Sequence, residues 1–372
     1  MEKLVEKFWY KVARTFAKAG GFPFPITDAY IELMQALLTE EQAKFILIFK
    51  KPKLNIDQIK AKTDLDEKSL IIMLNELTHN GIITGIPSRR TGIMVYTLIG
   101  LVPGILESTF MKGTTGEREI NLAHKYEKLF AKTTEITQNN FDNIINQYRK
   151  FPPFDRIVPV EEMIDIQQEN ILPYEDVKKL IETFDLISIG TCYCRHQKEL
   201  LNDQCKRNAP KLTCFFLGRN AQFAIEHGAK LISKKDALLI LKEAENHGLV
   251  HKAIHANLNP ENVEATFCNC CKCCCITFQS YYRGMAPIYS LTSYLANVDK
   301  DICIGCSTCV NICPTEAAEL IEMISVINEN KCIGCGLCAY HCPEKAIKLE
   351  RTGPRNVFIS PPRIEPIKNI NI

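Results

Sequence analysis

Cysteine is absent from the first 191 residues of this chain, although the full 372 residues contain 18. Other features are missing too. The longest stretch without charge, Thr91 to Leu106, is 16 residues long and is interrupted by Gly100, Pro103 and Gly104. No segment therefore reaches the ~20 apolar residues of a membrane-crossing helix. The first twenty residues interleave Glu2, Lys3, Glu6, Lys7, Lys11, Arg14 and Lys18 with apolar positions. The apolar core of an export signal tolerates no such pattern, and a cytoplasmic protein without a membrane span is expected. Neither sign of charge dominates, 45 Lys and Arg facing 43 Asp and Glu, so no global field draws the chain to nucleic acid. A P-loop, a GxGxxG fingerprint and a Ser/His/Asp arrangement are all lacking, which leaves no evident site for substrate chemistry of its own.

What is present is segmented. Ten cysteines fall in residues 192–275 and eight in 303–342. In a compartment that keeps thiols reduced, such density reads as metal ligation before disulfides, and as an anaerobic host, because exposed iron–sulfur clusters are damaged by oxygen. At 372 residues, two or three domains are expected.

Leu4, Val5, Phe8, Trp9, Val12, Ala13 and Phe16 recur at helical spacing, so residues 4–17 form an amphipathic helix whose apolar face packs on the protein. Residues 39–98 read as three helices and a hairpin. Thr39 opens the first, to about Phe49. Asn55 opens the second. Asp66 opens the third, with Leu70, Met73, Leu74 and Leu77 on one face until Gly81. Two β-rich pieces follow, Ile82–Ile86 and Ile93–Ile99. In element order these sixty residues resemble a winged helix. That resemblance implies a DNA-binding third helix, yet this one carries Asp66, Glu67 and Glu76 against Lys68. Phosphate contacts need Lys and Arg, and Arg89, Arg90, Lys50, Lys51 and Lys53 supply them only elsewhere, so a structural or dimerising role is expected ahead of DNA binding. Residues 118–150 read as one long polar helix.

The strongest pattern is a repeat. Cys303-Ile-Gly-Cys306-Ser-Thr-Cys309-Val-Asn-Ile-Cys313-Pro314 recurs 29 residues later as Cys332-Ile-Gly-Cys335-Gly-Leu-Cys338-Ala-Tyr-His-Cys342-Pro343. Asp299 corresponds to Asn328, and Ala317 to Ala346. Three cysteines at two-residue intervals wrap a loop around one cubane, whose irons each take a soft thiolate. A zinc ribbon uses half as many ligands. The segment closely resembles the bacterial-type dicluster 2[4Fe–4S] ferredoxins, in which the fourth cysteine of each half serves the other cluster. The resemblance implies one cluster on Cys303, Cys306, Cys309 and Cys342 and another on Cys332, Cys335, Cys338 and Cys313. Pro314 and Pro343 are expected to begin short helices. Gly305 and Gly334 are expected to let the backbone approach the cluster with N–H groups aimed at sulfur. Asp301, Glu316, Glu319, Glu322, Glu329, Glu344 and Glu350 make the module acidic, suited to redox partners with basic docking faces.

The central region holds Cys192, Cys194, Cys205, Cys214, Cys268, Cys270, Cys271, Cys273, Cys274 and Cys275. Leu186–Cys194 reads as a strand with Cys192 and Cys194 on one face. Two ligand arrangements fit: the first four cysteines as one set with a second from 268–275, or sets mixed between them. One or two further iron–sulfur clusters are expected, with zinc on a pairing such as Cys268/Cys271 or Cys270/Cys273 as the alternative. His196, His227, His247, His251 and His255 lie nearby, the last two in what reads as a loop.

The expected architecture is multi-domain α+β. Residues 1–117 hold the amphipathic helix and winged-helix-like domain, 118–185 a helical connector and 186–280 a Cys-rich metal-binding domain. Residues 293–350 form the dicluster ferredoxin domain, and 351–372 an extended tail with Pro354, Pro361, Pro362 and Pro366. The function expected is electron transfer within an anaerobic oxidoreductase, as a subunit or dedicated partner. A redox-sensing transcription regulator and a catalytic reductase subunit are the alternatives, and a homodimer or larger complex fits either.

Overall fold

The computed structural model describes residues 2–88, 90–164, 176–254 and 266–364. By contacts the chain forms two compact units, Met1–Thr133 with Leu200–Asn202, and Thr134–Glu199 with Asp203–Ile372. Among the described residues no helix is long and apolar enough to cross a membrane.

In the first unit, α1 (Glu2–Ala17) buries Trp9, Val12, Ala13 and Phe16, one stripe at helical spacing. The Thr27 side chain caps α2 (Asp28–Leu37), and a reciprocal Thr39–Gln42 capping box opens α3 (Glu40–Ile46). This helix ends at Ile46 rather than Phe49, because Leu47, Ile48 and Phe49 donate three residues back, to Lys44, Phe45 and Ile46. After β1 (Lys53–Asn55) come α4 (Ile56–Lys60) and α5 (Glu67–His79). The Asp66 carboxylate accepts from Ser69 N at 3.0 Å at the start of α5, which buries Leu70, Leu74 and Leu77. Strands β2 (Ile83–Pro87) and β3 (Met94–Leu98) form the expected hairpin. β1 pairs with the other edge of β3, making a three-stranded sheet in the order β1-β3-β2. Three residues are too short a run for periodicity to reveal. Arg89 lies outside the described residues.

Helices α6 (Leu106–Phe110), α7 (Glu117–Asn139) and α8 (Phe141–Tyr148) follow. The single helix expected over 118–150 is therefore two. Asn140 leaves helical geometry at φ −126° and ψ 33°, and its side-chain amide donates to Ile136 O at 3.2 Å, competing with the backbone ladder.

The second unit is built on one eight-stranded sheet. Its strands are β4 (Asp155–Val158), β5 (Ile187–Thr191), β6 (Leu212–Leu217), β7 (Lys230–Leu231), β8 (Val250–Ile254), β9 (Thr266–Cys270), β10 (Ile288–Val298) and, after the short hairpin β11 (Ala318–Ile321) and β12 (Ile324–Ile327), β13 (Ile347–Ile359). The order is β13-β10-β4-β8-β9-β6-β5-β7, and only β10 and β4 run parallel. Helices α9 (Val177–Glu182), α10 (Tyr193–Leu200), α11 (Arg219–Glu226) and α12 (Lys234–Asn246) belong to the sheet region. α13 (Ile276–Tyr282), α14 (Thr308–Ile312) and α15 (Leu337–Tyr340) lie further along the chain. Leu180, Ile189, Phe215, Leu217, Leu241 and Phe267 belong to one buried core.

β10 pairs with β13 from Ile288↔Ile359 to Val298↔Ile347, while Ser290 and Leu291 also pair with β4. The 186–280 and 293–350 segments thus share a sheet, which also takes in β4 from the supposed connector. Residues 351–359 of the tail are strand, hydrogen-bonded to β10, and Pro366 lies outside the described residues.

Lys252 on β8 and Asp155 on β4 are both buried, with Nζ to Oδ2 at 2.7 Å. Lys252 also donates to Thr277 Oγ1 at 2.8 Å and lies 4.6 Å from the Phe278 ring centre. Removing one partner of such a pair strands a charge in a low dielectric. Asp155→Asn should cost about 3–5 kcal/mol in urea unfolding followed by circular dichroism. Asp155→Leu with Lys252→Met should recover most of that loss, and a near-neutral single variant would contradict this account of the pair.

Candidate metal centres

Two loops, one entering α14 and one entering α15, carry the repeated cysteines. Each turns through left-handed residues, Gly305 and Ser307 in the first, Gly334 and Gly336 in the second, with φ between 64° and 80°. A Cβ on Gly334 would overlap Tyr294 O, and one on Gly305 would overlap Met323 O, so both loops lie too close to neighbouring backbone for a side chain.

Cys303, Cys306, Cys309 and Cys342 line one partly open cavity. Cys313, Cys332, Cys335 and Cys338 line another. Each cavity thus receives three cysteines from one repeat and the fourth from the other. Helices α14 and α15 contain Cys309 and Cys338 and end before the prolines. Pro314 and Pro343 therefore follow helices instead of starting them, the place where a residue lacking N–H stops a helix.

The Ala317 and Ala346 N–H groups, at equivalent positions, donate to Cys313 Sγ at 3.2 Å and Cys342 Sγ at 3.3 Å. Ser325 N–H donates to Cys303 Sγ at 3.4 Å, and Gly334 N–H serves Cys332. The two cavities differ in access. Burial pushes the Cys335 thiol up, whereas its counterpart Cys306 is exposed, and hydrogen bonding to Thr308 lowers it.

The central cysteines sort differently from the simpler expectation. β5 stops at Thr191, and Cys192 O accepts from His196 N at 3.0 Å, opening α10. Cys194 therefore lies in the first turn of a helix and not on a strand face. Cys214 on β6 is directly opposite Cys268 on β9. Cys192, Cys194, Cys214, Cys268, Cys270 and Cys275 line a partly open cavity, which Cys271 and Cys274 also reach. Cys205 is elsewhere. Its sulfur lies 3.8 Å from both Cys271 and Cys273, and Cys273 and Cys274 are 3.7 Å apart. The sets are therefore mixed between the two cysteine runs, and neither suggested zinc pairing forms a group of its own.

Polar side chains around the central cavity carry no motif that marks them in sequence. Arg195 is buried, donates to Asn269 O at 3.3 Å and to Thr213 Oγ1, and comes within 3.9 Å of Cys271 Sγ. Hydrogen bonding with Cys194, offset in part by burial and helped by the Arg195 charge, lowers the Cys192 thiol, while burial pushes Cys194 up. Asn269 donates to Thr213 O at 2.8 Å, and its Oδ1 is 2.6 Å from His251 Nδ1. His251, expected in a loop, is buried on β8, with Nε2 3.2 Å from Glu245 Oε1. His227 Nδ1 is 2.8 Å from Phe223 O and His247 Nδ1 is 3.1 Å from Arg207 O. Among the described residues no histidine joins a metal-like group, and His255 lies outside them.

The central run is tied to the repeat. Lys272 Nζ is 2.7 Å from Glu316 Oε1, and Tyr282 OH donates to Pro314 O at 2.7 Å. Arg207 donates to Asn311 O at 3.1 Å.

Residues 295–352 match the family model of a 4Fe-4S dicluster domain, the span from β10 to β13 that carries both loops. No curated protein and no solved structure matches the chain. The chain thus carries a ferredoxin-type 4Fe–4S module and, beside it, a Cys-rich group with the makings of further metal sites.

Gly334→Ala should deplete iron and bleach the visible absorbance of anaerobically purified protein, because Tyr294 O cannot move away without disturbing β10. Gly353→Ala, also at positive φ but facing open space, should cost only about 1–2 kcal/mol and leave iron unchanged. Equal iron in the two variants would remove the steric argument.

Proposed function

We propose that this is an iron–sulfur electron-transfer protein, acting as a subunit or dedicated partner of an anaerobic oxidoreductase. The observation that carries the reading is the pair of four-cysteine cavities in the dicluster segment, joined by one sheet to a third cysteine-lined cavity. In this reading Cys303, Cys306, Cys309 and Cys342 hold one [4Fe–4S] cluster, and Cys332, Cys335, Cys338 and Cys313 the other. A further cluster takes its ligands from Cys192, Cys194, Cys214, Cys268, Cys270 and Cys275. Bound clusters supply one-electron couples whose potentials respond to hydrogen bonds on sulfur and to solvent access. The protein contributes the N–H groups of Ala317, Ala346 and Ser325, which favour the charged thiolates, and the buried cations Arg195 and Lys252 beside the central cavity.

Charge and exposure support an order. The Lys272–Glu316 and Tyr282–Pro314 contacts put the central run against the turn after Cys313, so the Cys313 cavity is the inner relay position. The outer port is the Cys306 cavity, whose cysteine is exposed beside Ile304 at 60 % exposure, with Met323 at 67 % nearby in the module. Exposed apolar side chains among Asp301, Glu322 and Glu344 suit a redox partner with a basic rim, whose affinity falls as salt rises. For the first unit, Ile71 and Ile72 stand 53 % and 50 % exposed on α5. Apolar residues there support a winged-helix-like domain used for protein contact, a second copy or a larger complex, over one that grips phosphate.

The test is iron and acid-labile sulfide on anaerobically purified full-length protein, followed by dithionite titration with electron paramagnetic resonance. About 12 iron per chain, in three clusters that each take up one electron, is expected when all three cavities are filled. Cys338→Ala should remove about four of them. Protein that takes up iron but accepts no electrons from dithionite would sink the electron-transfer reading.

A further inference from the structure

We infer that Cys205, Cys271, Cys273 and Cys274 form a separate mononuclear site that holds one zinc ion. The argument rests on sulfur spacing. A tetrahedron with Zn–S bonds of about 2.3 Å has edges roughly 1.6 times as long, about 3.8 Å. The measured separations are 3.8 Å for Cys205–Cys271, 3.8 Å for Cys205–Cys273 and 3.7 Å for Cys273–Cys274, and all four sulfurs lie within 4.8 Å of one another. These distances are far too long for disulfides, whose sulfurs are about 2.0 Å apart. They are too short for a cubane, where each thiolate sits on a different iron and the ligand tetrahedron encloses the whole core, with edges of about 6 Å. Among the described residues this is the group whose ligand atoms approach so closely, and the ferredoxin cysteines form none like it.

The surroundings suit a structural ion. Four protein sulfurs close the tetrahedron, leaving no position for substrate or water. Cys271 and Cys274 are buried with Leu249 and Ala244, while Cys205 and Cys273 lie at the edge of that cluster. Four thiolates around a divalent cation leave two negative charges, and the Arg195 guanidinium 3.9 Å from Cys271 Sγ offsets part of them. Zinc is favoured over ferrous iron at a given set of sulfur ligands by the general affinity order of divalent metals.

The position explains what such an ion does. Cys205 is 66 residues before Cys271, so the ion closes a long loop. Two residues after Cys205, Arg207 donates to Asn311 O on α14, and Arg207 O is contacted by His247. The ion therefore holds this loop against the helix that carries Cys309. It acts as a clamp between the central run and the ferredoxin module and is not itself a redox centre. This inference stands whether or not the neighbouring cavity carries a cluster.

The test is zinc and iron content, with zinc K-edge X-ray absorption, on full-length protein purified anaerobically from zinc-replete cells. Wild type should hold one zinc per chain with four sulfurs at about 2.3 Å. Cys205→Ser should lose the zinc and keep its iron. Cys205→His should keep zinc with three sulfurs and one nitrogen at about 2.0–2.1 Å. Wild type without zinc, zinc on oxygen or nitrogen ligands, one iron in place of the zinc, or loss of about four iron from Cys205→Ser would each overturn the inference. The wild-type spectrum decides even where a variant fails to fold.

Discussion

Eighteen sulfurs gathered into a few small cavities set the terms for the second unit, because thiolates repel one another and lose their hydration when buried. Burial pushes up Cys194, Cys335 and Cys338, so these side chains resist becoming ligands unless a positive charge is supplied. The fold supplies some of that charge. Arg195 and Lys252 are buried beside the central cysteines, where an unpaired cation is costly, and the thiolates and Asp155 are the anions that make their burial tolerable. Bound metal supplies the rest. In the repeat, which has no buried cation of this kind among its cavity-lining residues, backbone N–H groups donate to sulfur instead.

That requirement explains why the sheet matters. Sulfurs can be set at defined separations only from backbone that does not drift, and strand pairing fixes Cys214 opposite Cys268. β10 extends the same scaffold to the ferredoxin loops, being bound by β13 along its length and by β4 at Ser290 and Leu291. Gly334 packs directly against this strand. The second cysteine loop is thus seated on the sheet that also positions the central cavity, so the two cysteine sets are held at a fixed distance.

Two spacings of cysteine coexist within the unit. The wide sets line cavities that are partly open, and the tight quartet holds its sulfurs within 4.8 Å of one another, the spacing of a single ion's ligands. Redox centres and a clamp can therefore be built from one residue type, separated only by how far apart the backbone holds the sulfurs.

Much of this was legible in the residue order. The duplicated cysteine run announces its chemistry because the spacing is local and the ligands of a loop are sequence neighbours. The helix starts at Thr39, Asn55 and Asp66 follow from side chains that satisfy backbone N–H groups three residues on. Less was legible where partners are remote. Nothing in Cys205 distinguishes it from Cys214, yet one joins the tight quartet and the other the wide cavity, because β6 carries Cys214 into the sheet and leaves Cys205 on the preceding loop. His251 reads as a loop residue and is buried on β8, since pairing with β9 gives it Asn269 as a partner. Cys194 falls on a helix because Cys192 accepts from His196. The sequence by itself determined that the chain holds metal and where the ferredoxin repeat lies, both written in short-range spacing. Which central sulfurs meet, and how closely, was decided only by the tertiary structure, because strand register and loop closure bring together residues more than fifty positions apart.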